Sequence, residues 1–212
     1  MSTMTETLHH EEALFIPSEE TEHREEYIPK VEGEYLGHIS DTRTLVREFK
    51  TREGRNVKSR IFNFKVQVAP ENATREYTFT DRNGTEHHTT GEPYVGWTVS
   101  ARGVFRFLEP GEGDTFESNS ENNVSYLRFC QALGLTIETT RRELNGKTLD
   151  VQVLPTLEES DVNGRPVVAV VGRDKDWIND DGETMPSFKV KYVKLWKEGK
   201  LLAPTTHNDL PF

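Results

Sequence analysis

Cysteine is almost absent from this chain, since Cys130 is the only one among 212 residues. A single thiol excludes an internal disulfide and any cysteine-rich zinc site. Long apolar runs are also absent: the longest, Val167–Val171, is far shorter than the roughly 20 residues of a membrane-spanning helix. The first residues, Met1–Glu6, show neither a basic n-region nor an apolar h-region. We therefore expect a cytoplasmic protein with no secretion signal and no membrane partner.

Apolar residues make up only 33 % of the chain and charged residues 29 %, which predicts one domain with extensions. The net charge of −10 is unevenly spread, because residues 1–34 hold ten glutamates against Arg24 and Lys30 and so account for −8. We assign residues 1–30 to a disordered acidic arm. The rest of the chain carries about −2, which leaves room for a nucleic-acid-binding surface.

From residue 31 onward the pattern is typical of β-strands. In residues 57–68, Phe62 and Phe64 alternate with polar residues and are therefore expected in the core. Alternation over residues 98–108 predicts one strand with Val99, Phe105 and Phe107 on the same side. The other predicted elements are an inserted hairpin or loop over 70–97, a helix from about 118 to 133 with its cap at Gly134, and strands over 147–154, 166–172 and 188–196.

Three or more strands, one helix and two or more further strands follow one another in this order. An OB-fold, a five-stranded Greek-key barrel with its helix between strands three and four, has the same order. A β-sandwich with one decorating helix has it too. We predict a mainly β, OB-fold-like domain over residues 31–196, with an insertion at 70–97 and a flexible tail at 197–212.

Basic residues are concentrated in the predicted hairpin 43–65. In an OB-fold the loop between the first two long strands borders the nucleic-acid groove, where cations neutralise phosphates and rings stack on bases. The alternative is a solvated hairpin whose charges keep an edge strand soluble. Two further aromatic residues flank Gly96 and are either a stacking platform or core anchors. The predicted DNA-binding residues are Arg43, Arg47, Phe49, Lys50, Arg52, Arg55, Lys58, Arg60, Tyr94 and Trp97.

The chain ends on Asp209-Leu210-Pro211-Phe212. A terminal phenylalanine contributes about 1.5–3 kcal/mol when a pocket buries it, and the adjacent carboxylate suits a basic rim or backbone N–H groups. This end looks like the C-terminal tip of bacterial and phage single-stranded DNA-binding proteins, which implies that Asp209, Leu210, Pro211 and Phe212 recruit replication and repair enzymes. A featureless, frayed terminus is the alternative.

Catalytic motifs are not found in the sequence. The acidic residues between Asp174 and Glu183 fail as a calcium loop, because Trp177 and Phe188 would occupy its first and twelfth ligand positions. Two of these carboxylates could hold Mg²⁺ in a nuclease, but no basic or histidine partner lies near them in the sequence. Cys130 falls on the apolar stripe of the predicted helix. We expect neither an enzyme nor a cofactor or metal site.

A family resemblance rests on Leu127-x-Phe129-Cys130-x-Ala132-Leu133-Gly134, followed by Leu144-Asn145-Gly146-Lys147-x-Leu149-x-Val151-x-Val153. Residues 31–172 resemble a family of phage OB-like proteins encoded beside replication and recombination genes and taken to bind single-stranded DNA. The resemblance implies a sequence-nonspecific single-stranded DNA-binding protein of phage DNA replication, recombination and repair, acting in a bacterial host's cytoplasm. The alternative is an interaction adaptor without DNA affinity on an OB-like or β-sandwich scaffold. The oligomeric state stays open.

Overall fold

The computed structural model describes residues 28–50, 54, 56–81, 83–107, 123–144, 146–180 and 182–202. The predicted mainly β character is confirmed for these residues. The strands are β1 (Gly33–Lys50), β2 (Asn56–Val68), β3 (Glu76–Thr80), β4 (Glu86–Thr90), β5 (Thr98–Ser100), β6 (Val104–Phe107), β7 (Glu138–Leu144), β8 (Lys147–Val153), β9 (Pro166–Arg173), β10 (Trp177–Ile178), β11 (Thr184–Met185) and β12 (Phe188–Leu195). The α-helices are α1 (Val124–Ala132) and α2 (Glu159–Val162), and 3₁₀ turns lie at Pro70–Thr74 and Glu92–Tyr94.

The main sheet has the order β12-β9-β1-β2, and the far edge of β2 is shared by β5 and β6. All of these ladders are antiparallel. Ala101, between β5 and β6, makes one parallel bridge with Val190 in β12. Among the described residues no continuous ladder joins these two ends, so the sheet does not close into a barrel.

A bulge divides β1 between Ser40 and Arg43, where Asp41 and Thr42 together oppose a single residue of β2. Asp41 has a φ of 48°, in the left-handed region. Side chains alternate along a strand, so one extra residue exchanges the two faces. Odd-numbered β1 residues are therefore buried before the bulge, whereas after it the even-numbered Thr42 is buried and the strand becomes mostly exposed from Val46 onward.

The core lies between the main sheet and α1. As predicted, Phe62 and Phe64 are buried; their rings stack on Tyr126 and Phe129 of α1, at 5.7 and 5.3 Å between centroids. Cys130 is also fully buried. Gly134 ends the helix with a φ of 73°, which confirms the predicted cap; the predicted start of the helix lies outside the described residues.

The insertion over 70–97 packs on β1 through aromatic rings and one buried amide. Tyr77 stacks on Tyr35 with ring centroids 4.7 Å apart. The Asn72 Oδ1 atom accepts hydrogen bonds from the Leu36 N–H at 3.0 Å and the Tyr77 hydroxyl at 2.9 Å. The predicted hairpin is present as β3–β4, and its connections are part of the core.

Residues on both sides of the predicted bounds 31–196 contact the domain. The Lys30 ammonium lies over the Tyr94 and Trp97 rings, 5.5 and 5.3 Å from their centroids. The Leu202 N–H donates to the Gly164 carbonyl at 3.0 Å, so residues 197–202 pack on the domain too. The rest of the predicted arm and tail, 1–27 and 203–212, lies outside the described residues.

Two predicted strands differ from the structure. The strand at 147–154 forms as β8, but its ladder is with β7, in a hairpin outside the main sheet. The strand over 98–108 is interrupted, because the Arg102 N–H turns to the Val190 carbonyl at 3.3 Å. The chain returns to β2 only at Val104. Phe105 and Phe107 therefore point away from the core, on the face opposite to that of Val99.

Candidate nucleic-acid interface

The outer face of β1, β2 and β6 is the side of these strands opposite to that of Phe62 and Phe64. Register places Leu45 opposite Ile61 and Ile61 opposite Phe105, so one apolar band crosses all three strands. Arg43 and Arg47 flank Leu45 on the same face, since residues two apart in a strand share a face. The outer-face side chains are Arg43, Leu45, Arg47, Phe49, Val57, Ser59, Ile61, Asn63, Phe105 and Phe107. Val57, Ser59 and Ile61 among them are buried, so the arginines and the rings form the accessible part of the face.

Two rings on the outer face contact each other and are open to solvent. The centroids of Phe49 and Phe105 lie 5.8 Å apart with the ring planes at 58°. Phe105 is 37 % exposed and Phe49 is half-buried. Partly exposed rings beside arginines are an arrangement on which unpaired bases can stack.

The charge of the outer face is positive on balance. Asp41 pairs with Lys65 at 2.8 Å and with Arg43 at 3.3 Å. The hydrogen bond from Lys65 and the charge of Arg43 hold the pKa of Asp41 below its ordinary value. Arg47 has no ion pair among the described residues. One carboxylate thus stands against three cations, and Arg47 is available for an anionic ligand.

A groove of about 750 Å³ opens between β6, α1 and β12, where the sheet does not close. We call it the seam groove. Its lining includes the apolar side chains Phe64, Phe129 and Val193. Phe105 and Phe107 also line it, so the seam groove continues from the outer face.

Cations surround the seam groove at Arg102, Arg128 and Lys191. Asp174 bridges the two sides of the seam groove. Its carboxylate forms ion pairs with Arg102 at 3.1 Å and with Lys189 of β12 at 2.6 Å. The hydrogen bonds from Lys189 and Arg102 lower the pKa of Asp174 to about 2. Arg128 is exposed and has no ion pair within the described ranges.

The predicted basic residues divide between the two faces of the hairpin. Arg43, Arg47 and Phe49 lie on the outer face, whereas Lys50, Lys58 and Arg60 lie on the opposite face because side chains alternate. Lys58 pairs with Glu48 at 3.8 Å. Arg60 donates to the Leu157 carbonyl at 2.9 Å and to Glu158 at 3.0 Å, so it fastens α2 to the hairpin.

Tyr94 lies in the core cluster and the partly buried Trp97 packs against that cluster, as the anchor alternative expects. Tyr94 is fully buried and its hydroxyl donates to the Pro29 carbonyl at 3.1 Å. Trp97 packs edge-on against Tyr35 at 5.3 Å and against Phe188 at 6.0 Å. Neither belongs to the outer face. Arg52, Arg55 and the tip Asp209–Phe212 lie outside the described residues.

Sequence reasoning missed the contributions of Phe105, Phe107, Arg102 and Arg128. The signal that could have found the two rings is Ala101-Arg102-Gly103, since a glycine inside a strand pattern marks a break or a bulge. Gly103 lies where a Cβ would be 2.7 Å from the Ile61 side chain. The pairing with β2 is interrupted between β5 and β6 at this point. Phe105 and Phe107 consequently lie on the face opposite to that of Val99.

Comparisons with protein-family models, with curated proteins and with solved structures found no match. In the part of the chain that the structure describes, no three His, Cys, Asp or Glu side chains are grouped so that they could hold a metal ion. No helix there has the length and apolar character needed to cross a membrane. Burial raises the pKa of the Cys130 thiol to about 11, which disfavours a reactive thiolate.

Proposed function

We propose that this protein binds single-stranded DNA without reading its sequence, along a path formed by the outer face and the seam groove. The observation that carries the proposal is the register of β1, β2 and β6. It brings Arg43 and Arg47 onto one face with Phe49, Phe105 and Phe107. The cations would contact phosphates, and each stacked base would contribute about 1–3 kcal/mol.

An OB-fold-like domain is the scaffold that we propose for this surface. Taken in chain order, β1, β2 and β5–β6 would be its first three strands, and β9 and β12 its last two. The helix α1 lies between β6 and β9, as the helix of an OB-fold lies between strands three and four. Oligonucleotides bind OB-folds on the face of strands two and three, which here is the outer face of β2 and β6.

The proposed biological setting is phage DNA replication, recombination and repair in a bacterial cytoplasm. It is supported by the resemblance of residues 127–153 and of the tip Asp209–Phe212 to phage and bacterial single-stranded DNA-binding proteins. In this setting the domain coats unpaired DNA while the tip recruits replication and recombination enzymes.

Fluorescence anisotropy with labelled oligo-dT tests the proposal. Binding is expected with a slope of log K against log salt of roughly −0.7 per phosphate contacted. Replacing Arg43 and Arg47 by glutamate should abolish most of the binding. The matched control replaces Lys50 and Lys58, on the opposite face of the same hairpin, by glutamate. This control should retain most of the binding. Absent or salt-independent binding would contradict the proposal.

The second candidate is an interaction adaptor, favoured by the apolar lining of the seam groove. Phe64, Phe129 and Val193 suit an apolar peptide side chain, and Arg128 suits an adjacent carboxylate. If this function is correct, the Arg43 and Arg47 variants keep every measured activity, whereas Phe129→Ala and Arg128→Glu lose peptide capture.

A further inference from the structure

The β7–β8 hairpin is amphipathic, and the proposed function does not use it. Its register pairs Glu138 with Val153, Thr140 with Val151 and Arg142 with Leu149. Residues directly opposite each other share a face of a sheet. One face therefore carries Leu149, Val151 and Val153 on β8, and we call it the apolar face. Glu138, Thr140 and Arg142 of β7 and Lys147 at the turn lie on the same face. The opposite face carries Thr139, Arg141, Glu143, Thr148, Asp150 and Gln152.

The apolar face has no cover within the described residues. Leu149 is 37 % exposed and Val153 44 %. The ion pair between Arg141 and Asp150, at 3.0 Å, lies on the polar face of the hairpin. The base of the hairpin is held, because Ile137 and Leu154 pack against the core. A lone two-stranded hairpin is at best marginally stable in water, so covering this face would stabilise it.

We propose that the same face of a second copy of this chain covers the apolar face of β7–β8. The charges on the face are self-complementary. Glu138 lies two residues before Thr140, at the base of the hairpin, and Arg142 lies two residues after it, toward the turn. A two-fold axis that crosses the strands at Thr140 and Val151 reverses the strand direction of the partner. It places Glu138 opposite the partner's Arg142 and Val153 opposite the partner's Leu149, as an isologous contact requires.

The size of the apolar face sets the strength of the association. Seven residues at 3.3 Å each make a strand of about 23 Å, and two strands cover much less than the roughly 800 Å² per partner of a standard interface. The dimer is therefore weak, and its population depends on the protein concentration. Single-stranded DNA is a poorer occupant, because Leu149, Val151 and Val153 offer no ring on which a base could stack.

Sedimentation equilibrium of the full-length protein without DNA tests this inference independently of the proposed function. The wild-type chain should show a monomer–dimer equilibrium. Val151→Glu should raise the dissociation constant at least tenfold, while Gln152→Glu, the same new charge on the polar face, should leave it within about twofold. A chain that stays monomeric at about 500 µM, or a dimer unaffected by Val151→Glu, would overturn the inference.

Exchanging the charges of Glu138 and Arg142 distinguishes loss of the two-fold contact from unfolding of the hairpin. Glu138→Lys alone should weaken the dimer, because the new lysine meets the partner's Arg142. Adding Arg142→Glu should restore dimerisation, since opposite charges then face each other again. These two residues are too far apart in β7 to pair within one chain, so rescue reports on the partner. Loss without rescue would refute the arrangement.

Discussion

Phe105 lies where the outer face meets the seam groove. Its ring contacts Phe49 on one side and lines the groove on the other. Because more than a third of the residue is exposed, burial does little to explain a large ring at this position. A role in binding explains it better.

Phe105→Ala should weaken oligo-dT binding by about 1–3 kcal/mol, or roughly 5- to 150-fold in Kd, because one stacking surface is lost. Phe105→Trp should retain affinity. Val46→Ala is the control, since Val46 is 56 % exposed on the opposite face of the hairpin, and it should bind like wild type in the anisotropy assay. Equal losses from both alanine variants would argue against a specific face.

Unlike Phe105, Tyr94 has a buried ring, and its hydroxyl is hydrogen-bonded. Tyr94→Phe should lower the free energy of unfolding by about 0.5–1.5 kcal/mol, since it removes the bond to the Pro29 carbonyl. Tyr94→Ala should cost about 3–5 kcal/mol through the cavity left in the cluster. Urea unfolding measures both. DNA affinity per folded molecule should not change; a selective loss of affinity would revive the stacking alternative.

At the scale of elements, Asp174 connects the two sides of the seam. It holds Arg102, between β5 and β6, and Lys189, at the start of β12. The lowered pKa means that the folded state favours the ionised carboxylate. Its contribution to stability is therefore present above about pH 4, the ordinary pKa of an aspartate, and is lost as the pH falls toward about 2.

The free energy of unfolding of Asp174→Asn should consequently fall less than that of wild type between about pH 4 and pH 2. Urea midpoints measured across this range for wild type and variant provide the test. Asp180→Asn serves as control, because Asp180 has no ion pair among the described residues. If the urea midpoints of wild type and Asp174→Asn fall equally as the pH is lowered, other contacts hold the two sides of the seam together.

Local patterns were sufficient to predict several elements and insufficient for the site. Period-two alternation identifies Phe62 and Phe64 as core, and Gly134 marks a helix end, because each signal lies within a few neighbouring residues. The face on which Arg60 or Phe105 lies depends on distant contacts. Arg60 is held by Leu157 and Glu158, and Phe105 changes face because Arg102 bonds to Val190. No periodicity within one strand reports such partners.

For the whole molecule, the tip Asp209–Phe212 and the folded domain should act separately. Deleting Asp209–Phe212 removes one side-chain carboxylate and the apolar end, so oligo-dT binding should be preserved or strengthened. Capture of host replication proteins should weaken, because the terminal phenylalanine is expected to fill their pocket. Anisotropy and a pull-down from host lysate provide the measurements.

Replacing Thr205 and Thr206 by alanine is the control for that deletion, since it alters the same tail and leaves the tip intact. The altered tail should capture partners as well as wild type does. Capture that the deletion leaves unchanged would show that the tip is dispensable.

The bulge at Asp41 determines which β1 side chains lie on the proposed DNA-binding face. Removing one residue between Ser40 and Arg43 would restore simple alternation and move Arg43 and Arg47 to the opposite face of the hairpin. Adding one would have the same effect. Natural variants of this protein should therefore conserve the number of residues in this short stretch more strictly than their identities, because a change of length there would move the cations of the proposed binding surface to the other side of the sheet.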